Sequence, residues 1–165
     1  MGAAMRILGL DPSLSSTGWG IIESENNRLH YVADGFIPTD TKMPLPERLA
    51  IIHKTLKQVI ETYHPDEAAI EMVFLNSNAV STIKLGMARG VVILAPALFD
   101  IPVIEYEPNK VKKAVVGVGH AEKGQVETMV KILLPGCKPK NNDSSDALAI
   151  AITHNSFRKA RSVAG

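Results

Sequence analysis

The chain has a single cysteine, Cys137, among its 165 residues. One cysteine cannot form a disulfide within the chain, and it cannot build a cysteine-rich zinc site. We therefore expect a protein of a reducing compartment, the cytoplasm. Apolar runs long enough for a membrane helix, about 18 to 20 residues, and an N-terminal signal peptide are also missing, so we expect no membrane association.

The chain also lacks a large net charge, since its formal charge is +1 at pH 7. The two halves differ, however. Residues 1–83 carry six basic and ten acidic side chains, whereas residues 84–165 carry twelve basic and seven acidic ones. A basic second half is compatible with a phosphate-bearing partner such as a nucleic acid, although proteins that bind none show the same asymmetry.

The length fits one domain over residues 1–165. Apolar runs predict strands at 6–10, 17–23, 29–36, 67–72 and 103–106. Helices are predicted at 44–63, 78–98, 108–116, 122–134 and 143–159. A three-stranded meander followed by alternating helices and strands favours an α/β fold, with helices on the faces of a mixed sheet.

The second predicted helix is apolar on all sides over residues 91–95. Such a helix is buried all round. Two interpretations remain open: it is a central core helix, or one of its faces is a contact between two copies of the chain.

Four carboxylates stand at unusual positions. Asp11 ends the first strand, Glu71 lies within an apolar strand, and Asp143 and Asp146 share a face at the start of the last helix. Asp11 alone is typical of a turn, and Asp143 with Asp146 is typical of a helix cap. An ionised Glu71 among apolar residues is costly unless it is paired or metal-bound. Together the four acids indicate a site that holds two Mg²⁺ ions for phosphodiester cleavage.

The sequence resembles the RuvC family of Holliday junction resolvases, in register from about residue 5 to 154. The motifs that carry the resemblance are Leu8-Gly-Leu-Asp11-Pro12 with Thr17-Gly-x-Gly20, Ala69-Ile-Glu71-x-Val-Phe74, Lys84-Leu-Gly-x-Ala-Arg89-Gly90, Val115-Val-Gly117 with Ala121-Glu-Lys123, and Asp143-Ser-Ser-Asp146-Ala-Leu-Ala. Residues 1–4 precede the start of that pattern, and we expect a flexible basic tail from about 158 to 165.

The resemblance implies an RNase H-like fold with a mixed five-stranded sheet, and a homodimer that nicks four-way DNA junctions in pairs. It implies two Mg²⁺ ions, with Mn²⁺ as a substitute, and a branch-migration motor of the RuvA–RuvB type as partner. In that family, residues matching the four acids bind the metals, those matching Lys112 and Lys123 support catalysis, and an aromatic matching Phe74 stacks on a junction base. Further expected DNA contacts are Asn78, Lys84, Arg89, Lys110 and Lys113.

Two departures from the family pattern concern the turn after the first strand and the junction-contacting loop after Phe74. The family usually has glycine where this chain has Ser13, and often a basic residue where it has Ser77. The remaining alternatives are another RNase H-like nuclease acting on RNA or RNA–DNA hybrid, a non-catalytic nucleic-acid binder, and an actin-like or sugar-kinase-like ATPase. His154 is expected to be a partly exposed residue near the end of the last helix.

Overall fold

The computed structural model describes residues 3–73, 77–117 and 122–164, except for the side chains of Lys123 and residues 162–164. The described residues form five strands, β1 (Met5–Asp11), β2 (Ser16–Glu25), β3 (Arg28–Pro38), β4 (Glu67–Glu71) and β5 (Val103–Tyr106). They also form five helices, α1 (Leu45–Tyr63), α2 (Ala79–Ala97), α3 (Pro108–Val116), α4 (Lys123–Leu133) and α5 (Asn142–Ala164). The predicted elements are therefore all present, with longer strands in the meander.

The strands form one mixed sheet in the order β3-β2-β1-β4-β5. The first three strands pair antiparallel, whereas β1–β4 and β4–β5 are parallel. This confirms the predicted meander and the mixed sheet. Because β1 and β4 run in the same direction, their carboxyl ends meet at one edge of the sheet.

Helices cover both faces of the sheet, and each face has its own apolar core. Ile7 of β1 belongs to the core under α3, α4 and α5, whereas its neighbour Leu8 belongs to the core under α1 and α2. Successive strand residues point to opposite faces. An unbroken apolar run such as that of β1 therefore marks a strand that is buried on both sides.

Helix α2 bears on the expected lack of a membrane-length apolar run and on the two interpretations left open for this helix. It is long and apolar enough, by length and composition alone, to be a candidate membrane span, with a mean hydropathy of 1.3. It is also not a central core helix, because only 22% of that window is buried. One side packs against α1, and apolar side chains on the other side are exposed.

The C-terminal segment also differs from expectation. Helix α5 continues through Ala164, so residues 158–164 are helical, whereas a flexible tail was predicted. Arg158 lies within ion-pair distance of Glu67 on β4, and Arg161 donates to the Tyr106 hydroxyl at 3.3 Å. These contacts with the sheet are long-range, so the basic composition of the segment gave no sign of them.

Candidate active site

The first two acids come together through strand pairing. Leu10 of β1 pairs with Ile70 of β4 in the parallel ladder, so Asp11 and Glu71 follow at adjacent strand ends. Asp11 is followed by Pro12, which cannot continue the hydrogen-bond ladder. The carboxylates therefore stand where the sheet ends and a cleft can form.

Helix α5 brings the other two acids by lying unusually close to the sheet. A Cβ atom on Gly9 would lie 1.9 Å from the Ala147 carbonyl oxygen, and one on Gly18 would lie 2.0 Å from the Asp143 carbonyl oxygen. Only glycine permits such an approach at these two positions. The first turns of α5 consequently rest on the ends of β1 and β2.

Asp143 does not cap α5, contrary to the structural alternative considered for it. Asn141 performs that role, since its side-chain oxygen accepts a hydrogen bond from the Ser144 amide at 2.9 Å. The Asp143 carboxylate instead accepts a hydrogen bond of 2.7 Å from the Ser16 hydroxyl at the start of β2. Asp143 is thus held toward the edge of the sheet where β1 ends.

A cleft of about 290 Å³ lies at this edge and contains three of the four predicted acids with one predicted lysine. Asp11, Glu71, Asp146 and Lys112 line it. Its other walls come from α3, α4 and α5, with the residues Pro108, Val111, Val126 and Ala149. Helix α3 therefore supplies the positive charge, because Lys112 lines the cleft next to the buried Val111.

The electrostatics of the cleft show acids that are close and incompletely compensated. Burial raises the pKa of the Glu71 carboxyl, and the negative charge of Asp146 raises it further. Lys112 and Arg89 act in the opposite direction but do not cancel the shift. A positive ion bound between these carboxylates would remove the repulsion.

The donor set fits a divalent cation. Among the described residues, no three acidic, histidine or cysteine side chains converge tightly enough to hold an ion by themselves. Mg²⁺ usually takes one or two carboxylates and completes its shell with waters and substrate phosphates. The acids in this cleft match that sparse ligation, and their oxygens are the hard ligands that such a cation prefers.

Arg89, expected to contact DNA, is engaged inside the protein. It forms an ion pair with Glu105 of β5 and donates a hydrogen bond to the Glu71 carbonyl oxygen. Its side chain is 14% exposed. These contacts support a role in holding the end of β4, and with it the Glu71 carboxylate.

The other predicted DNA contacts occupy three different surroundings. Asn78 caps α2 by accepting a hydrogen bond from the Ser81 amide at 3.1 Å. Lys84 is exposed and lines a polar pocket between α1 and α2. Lys110 lies 5.9 Å from the Phe157 ring and shares a groove with Lys113, on a face of α3 different from that of Lys112. Phe74 and the side chain of Lys123 lie outside the described residues.

His154 is buried rather than partly exposed, so that expectation is wrong. Its Nδ1 lies 2.7 Å from the Tyr106 hydroxyl, and its Nε2 lies 2.6 Å from a Glu67 carboxylate oxygen. Burial lowers the pKa of His154, while Glu67 opposes that effect. The sequence reasoning also missed Ser16 and Asn141, for which no local pattern gave a signal.

Carboxylates that share a cleft with a lysine are suited to metal-dependent hydrolysis of phosphodiesters. Here these side chains stand on a mixed sheet of order β3-β2-β1-β4-β5, and helix α5 supplies two of the acids. This combination defines a nuclease of the RNase H-like class.

Comparisons with known proteins agree with this class. Residues 7–154 match the family model described as crossover junction endodeoxyribonuclease RuvC. A protein of that name from Bradyrhizobium sp. (strain BTAi1 / ATCC BAA-1182) is 53% identical over 161 residues, covering 98% of this chain and 92% of that one. One from Agrobacterium fabrum is 51% identical, covering 93% and 91%. The structure of T. thermophilus RuvC in complex with Holliday junction substrate superposes with a TM-score of 0.89 at 30% identity, covering 95% of this chain and 96% of that one.

The chain therefore belongs to the RuvC family of crossover junction endodeoxyribonucleases, which are metal-dependent hydrolases of DNA. The family resemblance and the RNase H-like fold predicted from the sequence are confirmed. The ATPase and the non-catalytic binder lose their support with this assignment.

Proposed function

We propose that this protein resolves four-way DNA junctions by paired, symmetric nicks that depend on two Mg²⁺ ions per site, with Mn²⁺ as a substitute. The observation that carries the proposal is the cleft that gathers Asp11, Glu71 and Asp146 around Lys112. The family assignment supports the junction as substrate, because one solved relative at 30% identity is in complex with Holliday junction substrate.

The acids act together as a pocket for cations and for the water that attacks the phosphate. When bound, divalent cations would supply water activation and stabilisation of charge on the leaving oxygen. Asp11 and Glu71 are fixed by the sheet, and Asp146 is fixed by α5, so the carboxylates need little reorganisation when DNA arrives. Preorganised charge of this kind is usually the largest single contribution to catalysis.

Lys112 and Asp143 complete the proposed site in different ways. Lys112 places its positive charge at the wall of the cleft, where it can offset the negative charge that develops on the phosphate. Asp143 is one helical turn before Asp146 and is oriented by Ser16. We assign Asp143 as the fourth metal ligand, and Lys123 at the first turn of α4 as a second supporting lysine.

Helix α2 supports the proposed homodimer. Val80, Ile83, Met87 and Leu94 are 62%, 58%, 41% and 48% exposed. Their spacing of three, four and seven residues puts them in one stripe along the helix, as in a coiled-coil seam. An exposed apolar stripe is typical of a protein contact. A second copy of the same helix covers it with the same chemistry, and a two-fold dimer then presents two sites to a two-fold symmetric junction.

Cleavage of matched substrates tests the proposal. Labelled four-way junction, linear duplex and RNA–DNA hybrid are each incubated with the protein, with and without Mg²⁺. We expect symmetric nicks in the junction, little cutting of the other two, and no cutting without a divalent cation. Equal cleavage of the hybrid or of linear duplex would refute junction resolution and favour the generic RNase H-like nuclease.

Three further proposals rest on the family resemblance: a role for one residue, a partner and a location. Phe74 is proposed to stack on an unpaired junction base, because such stacking tolerates any base. The motor complex of the RuvA–RuvB type is a proposed partner, and the cytoplasm is the proposed location. For Phe74, the variant Phe74→Ala is expected to lose junction cleavage more than thermal stability.

A further inference from the structure

A second polar pocket, of about 350 Å³, is lined by Ser13, which follows Asp11 of the acidic cleft by two residues. It opens between the loop after β1, the start of α1 and the first turns of α2. Its polar lining consists of Ser13, Ser15, Thr41, Arg48, Ser81 and Lys84. The lining therefore offers four hydroxyl groups and two cations. Within the described residues it includes no carboxylate.

Arg48 is the unusual member of this pocket. Only 7% of the residue is exposed, and its Nε donates a hydrogen bond of 2.8 Å to the Thr39 hydroxyl. Within the described parts of the chain, no carboxylate lies within ion-pair distance of its guanidinium. A guanidinium has five N–H donors, and the hydrogen bond to Thr39 uses one of them. A buried charge without a counter-ion is costly.

We infer that this pocket binds a backbone phosphate of the junction strand, one to three nucleotides from the scissile phosphate. A phosphodiester supplies the missing negative charge and accepts hydrogen bonds from a guanidinium fork and from hydroxyl groups. Ser81 stands in the first turn of α2, where the partial positive charge of the helix N-terminus adds to the attraction.

The position of the pocket sets the spacing. Ser13 follows Asp11 by two residues, and two residues of chain span at most about 7 Å. Ser15 directly precedes Ser16, whose hydroxyl binds Asp143. Phosphates on one strand repeat about every 3.4 Å along the helix axis. A strand whose scissile phosphate enters the acidic cleft can therefore present a neighbouring phosphate to this pocket from the side of Ser13.

The inference rests on the proposed function, and it makes a quantitative claim about salt dependence. Each neutralised phosphate contributes a slope of about −0.9 to the logarithm of affinity against the logarithm of salt concentration for duplex DNA. Removing the charge of Arg48 should therefore make the slope about one unit shallower. Affinity at low salt should fall about ten- to a hundredfold, as for the loss of charge-assisted hydrogen bonds.

The experiment measures junction binding in EDTA over a series of salt concentrations. The variants are Arg48→Gln and Lys84→Met. Because Lys84 is exposed, Lys84→Met should fold even if Arg48→Gln, at a buried position, does not. Lys57→Met is the matched control, because Lys57 is an exposed lysine of α1 paired with Glu61. Thr39→Val separates the structural contact of Arg48 from its charge, since it removes the hydrogen bonds that the Thr39 hydroxyl makes with Arg48 and Leu14 and keeps the guanidinium.

We expect a shallower slope for Arg48→Gln and Lys84→Met, and the parental slope for Lys57→Met and Thr39→Val. Equal loss of affinity in Thr39→Val and Arg48→Gln, with no change of slope in Lys84→Met, would overturn the inference. Protection of the parent against heating by millimolar inorganic phosphate, together with unchanged DNA slopes, would mean a free-phosphate site and would also overturn it.

The two proposals fail separately. If the parent cuts junctions while the slopes of the Arg48 and Lys84 variants stay parental, the phosphate subsite is wrong and the function stands. If the parent cuts only linear DNA or hybrid, and the slope on that substrate still depends on Arg48, the subsite is supported and junction resolution is wrong.

Discussion

Replacing Gly9 by alanine should displace the helix that carries two of the acids. The added Cβ would lie 1.9 Å from the Ala147 carbonyl oxygen, whereas Cβ contacts under 3.0 Å essentially never occur. Helix α5 must therefore move away from β1 by about 1 Å. Both atoms in conflict are fixed to the backbone, so no change of side-chain rotamer relieves the clash.

The size of the effect follows from this shift. Overpacking of a close backbone contact costs about 3 kcal/mol, the upper end of the usual range. For a domain of this length that lowers the melting midpoint by roughly 6 to 12 °C. The shift also moves Asp143 and Asp146 relative to Asp11 and Glu71. A misplacement of about 1 Å in a catalytic site can reduce the rate by about a hundredfold.

Melting curves and single-turnover cleavage of a labelled junction in Mg²⁺ measure the two quantities. Gly124→Ala is the control, because an added Cβ on this glycine of helix α4 meets no atom within 4 Å. It should cut at the parental rate. If Gly9→Ala cuts junctions within about twofold of the parent, the close contact of α5 with the sheet does not set the geometry of the acids.

Three other perturbations test the site and the dimer. Asp146→Asn removes a negative charge that raises the pKa of the Glu71 carboxyl. A carboxyl whose pKa is raised by folding stabilises the protein at low pH. That contribution is lost as the pH rises above the ordinary carboxyl pKa of about 4.3. Metal-free urea titrations should therefore show less loss of stability from pH 4 to pH 7 in this variant, while cleavage falls by orders of magnitude. Asn141→Ala should cost about 1 kcal/mol of unfolding free energy as a lost cap, whereas Asp143→Asn should cost activity with little loss in melting temperature. Leu94→Glu should convert a dimer to a 17.8 kDa monomer in sedimentation.

Each of these has a contrary outcome. An unchanged or steeper pH dependence in Asp146→Asn would mean that this aspartate does not repel Glu71. Parental cleavage by Asp143→Asn would remove that residue from the metal site. A parent that sediments only as monomer at micromolar concentration would refute the dimer.

The sequence by itself determined the elements and the positions of the acids. Apolar runs interrupted by turn residues located β1 and β4, because a strand buried on both faces needs an unbroken apolar sequence. Glu71 was noticeable for the same reason, as a charge that such a strand does not tolerate without a partner. The resemblance to a family then gave the RNase H-like class of the fold and the expected chemistry.

Only the tertiary structure decided which distant groups meet. Periodicity shows that a helix has an apolar face, but it does not show what covers that face. The sequence therefore could not decide between the two interpretations of α2, and it did not predict the burial of His154. Local spacing favoured Asp143 as a cap, yet Asn141 took that role and Ser16 turned Asp143 toward the site. Gly9 and Arg48 gave no signal in sequence because their roles depend on contacts between elements far apart in the chain. One permits close packing of α5, and the other is a buried cation that no carboxylate of the described residues pairs with.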